Sequence, residues 1–221
     1  MIKSHHIKVE RTAHYYTIGK PTEEVKYLVF AFHGYGQLAE HFIRKFDVLA
    51  RPDTLIVAPE GLSRFYWNGL TGKVAASWMT KADRLSEIAD YAKYLNDLHQ
   101  SYLQQLPKDV KTILFGFSQG CATAVRWPME HFPEFDTLVL WGGMIPEDLD
   151  YIPRQAYWSS KKIYAVYGAE DQFITPKRID FHRNLIASQE LIVEEQHFAG
   201  GHVVDREALA NLFQDIRDSG S

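Results

Sequence analysis

Apolar positions along the chain change period in a regular order. Short, mostly apolar runs, of the kind that form strands buried on both faces, occur at 25–32 (VKYLVFAF), 54–58 (TLIVA), 110–117, 137–141 (TLVLW) and 163–167 (IYAVY), and 191–197 reads as a further strand. Between them lie stretches with helical spacing. Residues 39–50 carry Phe42, Ile43, Phe46 and Leu49. Residues 82–106 place Leu85, Ile88, Ala89, Ala92, Leu95, Leu98, Tyr102 and Leu103 on one face. Pro107 closes that helix, and further helices are predicted after residue 118 to about Met129, its end bracketed by Pro128 and Pro133, and over 176–188 and 205–217. Residues 5–18 alternate and break near Arg11-Thr12, which predicts an edge hairpin. Two segments fit neither period: 59–80, rich in aromatic residues, and 144–160, with Pro146 and Pro153. Long connections of this kind often carry function, and these two are expected to shape a pocket.

Strands alternating with helices predict an α/β protein with a mostly parallel, twisted sheet covered by helices on both faces. Sites in such sheets form beyond the carboxyl ends of the strands. His33, Ser118, Gly142, Asp171 and His202 all fall just after predicted strands, so one geometric rule gathers them at one edge.

The 110–117 strand runs into Gly116-Phe117-Ser118-Gln119-Gly120, a G-x-S-x-G motif followed by the small residues Cys121-Ala122-Thr123-Ala124. Strand, sharp turn and helix are the context of a nucleophile elbow, in which side chains flanking the serine would collide with the neighbouring strand and helix. The turn leaves the backbone N–H of Gln119 facing a developing oxyanion at a helix N-terminus. An activated serine needs a base, and the base a group that fixes its tautomer. The chain offers Ser118, Asp171 and His202, in the order nucleophile, acid, histidine. Glu170 competes with Asp171, and His197 with His202. Asp171 precedes the turn into a helix, and His202 lies in a Gly-rich loop free to swing towards the serine. The turn His33-Gly34-Tyr35-Gly36 is expected to supply the second oxyanion N–H, from Tyr35, with His33 in a packing role. Phe65, Tyr66, Trp67, Trp78, Met144 and Phe173 are expected to wall an apolar groove for an acyl or aryl group.

Composition narrows the partners. At 221 residues a single domain, 1–221, is expected. The net charge of −4 and the lack of a basic run argue against nucleic acid and anionic membrane surfaces as partners. Cys121 is the single cysteine, so no intrachain disulfide is possible and a reducing, cytoplasmic location is expected. No apolar stretch suggests a membrane anchor. His5, His6 and His14 read as surface residues, and no metal or other cofactor is expected.

These motifs resemble the α/β-hydrolase fold, and within it the phospholipase/carboxylesterase family that includes acyl-protein thioesterases. The resemblance covers nearly the whole chain: FHGYG, APEG, SWM, GFSQG, YGAEDQFITP and the final GGH. It implies a cofactor-free serine hydrolase of carboxylic esters or thioesters, with Ser118 as nucleophile, Asp171 as acid, His202 as base and Tyr35 and Gln119 as oxyanion donors. Lysophospholipid hydrolysis and a non-catalytic, ligand-binding relative stay open as alternatives. The chain departs from the family pattern at Cys121, where Gly or Ala is usual, at Arg126-Trp127-Pro128 and at WGGMIPEDL.

Overall fold

The computed structural model of the chain describes residues 1–219. Its strands are β1 (Tyr15–Ile18), β2 (Tyr27–Phe32), β3 (Thr54–Pro59), β4 (Ser63–Asn68), β5 (Thr71–Ser77), β6 (Lys111–Phe117), β7 (Thr137–Trp141), β8 (Lys162–Gly168) and β9 (Glu194–Phe198). The helices are α1 (Ala39–Phe42), α2 (Arg84–Leu103), α3 (Gln119–His131), α4 (Gln155–Ser159), α5 (Pro176–Ser188) and α6 (Arg206–Asp218). Seven strands form one sheet in the order β1-β3-β2-β6-β7-β8-β9, all parallel except β1, which pairs antiparallel with β3 at the edge.

Period-two alternation along each central strand splits the core in two. On β2, Leu28, Phe30 and Phe32 join one cluster with α2 and α3, around Trp78, Tyr91, Leu95, Trp127 and Leu140. Val29 and Ala31 face the other cluster, with Phe42, Phe46, Phe115, Trp141, Leu212 and Phe213. Both faces are therefore covered, as the continuous apolar runs require. No helix among the described residues is long and apolar enough to cross a membrane.

Three expectations need correction. The hairpin over 5–18 does not form: only β1 is a strand, and it pairs with the distant β3 instead of with its own neighbour. The helix over 39–50 is a single α turn continued as a 3₁₀ helix over Ile43–Leu49, which still buries Ile43, Phe46 and Leu49. Finally, 59–80 is a structured hairpin, β4 against β5, joined by a two-residue connection at Gly69-Leu70. The 144–160 segment remains mostly irregular, with a 3₁₀ turn at Ile152–Arg154 and α4.

Candidate active site

At the end of β6, Ser118 has φ 53° and ψ −115°, a region where a residue with a side chain is strained by about 1–3 kcal/mol. The turn is tight because both flanking glycines touch backbone. A Cβ on Gly116 would lie 2.5 Å from the carbonyl of Gly120, and one on Gly120 would lie 2.2 Å from the carbonyl of Phe32. Ser118 N–H donates to the Trp141 carbonyl (2.9 Å), which anchors the turn to β7. Gln119 opens α3, so its N–H is one of the donors a helix start leaves without an intrahelical acceptor. Neither it nor the Tyr35 N–H is used in a hydrogen bond among the described residues.

Asp171 follows β8 and is buried, while His202 sits in the loop after β9. The His202 Nδ1–H donates to Asp171 Oδ2 at 2.7 Å. The other oxygen, Oδ1, accepts from the Phe173 N–H at 2.9 Å. A carboxylate can only accept, so this bond fixes the Nδ1–H tautomer and leaves Nε2 with its lone pair. Phe117 and Phe173 pack on the imidazole, with ring centroids 4.9 and 4.7 Å away. Trp141 Nε1–H donates to the Val203 carbonyl (2.7 Å) and pins the loop. Ser118 and His202 line one open cavity of about 690 Å³. No hydrogen bond joins their side chains among the described residues; such bonds often tighten only when substrate is bound. Glu170 is exposed, and His197 packs edge-on against Tyr167, away from this cavity.

The turn after β2 is held from several directions. Buried His33 donates from Nδ1 to the Gly34 carbonyl (2.8 Å) and accepts at Nε2 from the Gly61 N–H (2.9 Å). Burial lowers its pKa to about 4, against the opposing pull of the Gly34 bond and Glu60, so the ring is neutral. Gly36 N–H donates to the Ala76 carbonyl, and Gly34 N–H to Gln37 Oε1, each at 2.9 Å. Glu60, also buried, accepts from the Ala39 N–H at the start of α1 and pairs with Arg64.

The residues expected to wall a groove separate into three groups. Met144 and Phe173 line the cavity with Ser118. Phe65 and Trp67 pack against Tyr35, with centroids 5.5 and 5.7 Å away, and Tyr66 neighbours them on β4; none of the three lines that cavity. Trp78 is a correction. It is buried in the core, its Nε1–H donating to the His33 carbonyl (2.9 Å) and its ring 5.0 Å from that of His33. An indole with its only polar atom satisfied inside is a structural part, not a groove wall.

The cavity is also less apolar than expected. Alongside Met144, Ile145 and Ile174 it is lined by Arg84, Arg126, Arg178, Glu147 and Asp148. Asp148 pairs with both Arg126 (2.5 Å) and Arg84 (3.0 Å), and Glu147 with Arg178 (3.2 Å). Partial burial acts to raise the pKa of Asp148, but the hydrogen bond and charge of Arg126 outweigh it and hold the carboxyl below its ordinary value. The 144–148 backbone is fixed separately: His182 Nε2 accepts from the Ile145 N–H (3.0 Å), and Tyr151 donates to the Pro146 carbonyl (3.2 Å).

Two roles lay outside the sequence reading. The Gln119 side chain accepts from the Trp78 N–H (3.2 Å) and donates to the Met79 carbonyl (3.0 Å), tying the end of β5 to the serine turn. The signal was present in the position after Ser118, but only the neighbouring loop shows what the amide holds. Arg126 lies two helical turns beyond Ser118 on the face of α3 that also presents Ala122 to the cavity. Cys121 is buried with Sγ near the Gly116 carbonyl (3.1 Å), and burial pushes its thiol pKa up, so it is not the nucleophile of this site.

The sheet, the strained serine and the acid–histidine pair define an α/β-hydrolase fold. Maize (Zea mays) acyl-protein thioesterase 2 superposes with a TM-score of 0.71, covering 94% of this chain and 99% of that one at 16% identity. A carboxylesterase from Mesorhizobium loti gives 0.66, with 88% and 90% covered at 18% identity. A phospholipase/carboxylesterase from Dyadobacter fermentans gives 0.63, with 94% and 99% covered at 16% identity. The phospholipase/carboxylesterase family model matches residues 13–218, and the chain belongs to that family. No curated protein sequence matches it.

Proposed function

We propose that this protein is a serine hydrolase that cleaves carboxylic esters or thioesters through an acyl-enzyme. One observation carries the reading: Ser118 stands strained at the start of α3, in the same cavity as a histidine whose tautomer a buried aspartate sets. In the reaction, Ser118 Oγ attacks the substrate carbonyl as His202 Nε2 takes its proton. The oxyanion is stabilised by the N–H groups of Tyr35 and Gln119 and by the positive end of α3. The tetrahedral intermediate collapses, the carbon–oxygen or carbon–sulfur bond breaks, and the imidazolium gives its proton to the departing alkoxide or thiolate. Water then attacks the acyl-enzyme with His202 again as base, releasing the carboxylic acid and restoring Ser118. Asp171 orients His202 and stabilises its charged form throughout.

The test is hydrolysis of p-nitrophenyl esters from acetate to palmitate by the wild type and Ser118→Ala, with fluorophosphonate labelling of both. The expected result is turnover and labelling that Ser118→Ala lowers by at least about a thousandfold. Wild-type rates in the variant, or no labelling of Ser118 in the active protein, would overturn the mechanism.

A further inference from the structure

The cavity around Ser118 holds three guanidinium groups against two carboxylates, so it carries one positive charge in excess before any charge forms on His202. Arg126 is the anchor of that charge. Its side chain is only 7% exposed, lines the cavity and pairs there with the half-exposed Asp148. Arg84 and Arg178 stand nearer the mouth, at 45% and 53% exposure, and their pairs with Asp148 and Glu147 are open to solvent. Exposed pairs of this kind exchange partners at little cost. Arg126 is eight residues beyond Ser118, about 12 Å along the helix axis, and arginine side chains on helices lean back towards the N-terminus. A group on Arg126 would therefore sit a few methylenes from the reacting carbonyl.

We infer that the cavity selects esters or thioesters bearing a carboxylate a few carbons from the scissile bond, with Arg126 and Arg178 as its recognition groups. A carboxylate suits the site in charge as well as in shape: the excess is a single positive charge, and a planar monoanion matches the guanidinium fork. This substrate class rests on the hydrolase reading above.

The experiment compares kcat/KM for two matched pairs at low ionic strength. One pair is p-nitrophenyl hydrogen glutarate and its neutral amide, with the charge on the acyl side. The other is 4-acetoxybutanoate and 4-acetoxybutanamide, with the charge on the alcohol side and acetate release as readout. The carboxylate member of at least one pair is expected to be preferred by about tenfold or more, chiefly through KM, with the preference shrinking as salt is raised. Arg126→Met and Arg178→Gln should each lower turnover of the carboxylate more than that of the amide. Arg178→Gln, at an exposed position, keeps the test decisive if Arg126→Met does not fold. Amides used as well as or better than carboxylates in both pairs would overturn the inference while leaving the hydrolase reading in place. A protein that cleaves neither these esters nor p-nitrophenyl acetate would remove both.

Discussion

The two sides of the Ser118 turn are built by different physics. On the side of β4 and β5, the catalytic turns are clamped by neutral hydrogen bonds and packed rings: Trp78 to His33, Gln119 to Met79, Gly36 to Ala76, and Tyr35 against Phe65 and Trp67. On the side of α2, α3, α5 and residues 144–148, where the cavity opens, the charged groups that line it are held mainly by ion pairs with Asp148 and Glu147. Buried neutral contacts have one good arrangement, because each broken bond leaves an unsatisfied group away from water. Solvent-exposed ion pairs have several of similar energy. The first side is suited to holding reacting atoms in fixed geometry, and the second to meeting a substrate.

Acid should break both sides at once and has the largest expected effect. Burial lowers the pKa values of His33, His99 and His182 from 6.5 to about 4. Below pH 6.5 the unfolded chain takes up protons that the native chain refuses. Stability therefore falls as pH drops from 6.5 towards 4, by on the order of 2 kcal/mol per histidine at pH 5. Urea midpoints at pH 7 and pH 5 measure it, and equal midpoints would contradict neutral burial of these rings.

Trp78→Ala comes next. Emptying a buried indole site should cost about 3–5 kcal/mol and lower Tm by roughly 6–20 °C, with a similar proportional loss of activity on short and long esters. A loss confined to long esters at unchanged Tm would instead restore Trp78 to a groove. Gln119→Ala keeps the backbone donor but frees the 77–79 segment. We expect kcat to fall about tenfold with KM little changed, read from initial rates on p-nitrophenyl acetate, because a small misplacement of catalytic groups costs rate before affinity. The smallest effect is on the charged side: Arg178→Gln should change stability by less than about 1 kcal/mol in thermal melts. A larger loss would mean that this side is as rigid as the other.

The parts legible in the sequence were those that short-range sterics dictate. Gly116 and Gly120 are required because backbone passes within van der Waals distance of both, and that spacing, between an apolar strand and a run of small residues, announces the serine turn. The strand over Thr137–Trp141 and the helix over Pro176–Ser188 were readable because an uninterrupted apolar run and a proline start are local signals. The β4–β5 hairpin was hidden because it forms a separate two-stranded sheet and exposes most of β4, so no buried face imposes alternation there. Trp78 and Trp67 were indistinguishable as letters. One is buried and the other half-exposed because of what packs over them, which no local pattern records.

The sequence by itself determined the alternation of strands and helices, the serine turn and the order of Ser118, Asp171 and His202, because hydrophobic period and glycine spacing act over a few residues. Only the tertiary structure decided that Gln119 locks the end of β5, that Trp78 supports His33, and that Arg84, Arg126 and Arg178 converge on the cavity. The physical reason is distance along the chain: these contacts join segments tens of residues apart, and their energy depends on burial and partners that exist only once the sheet has brought the loops to one edge.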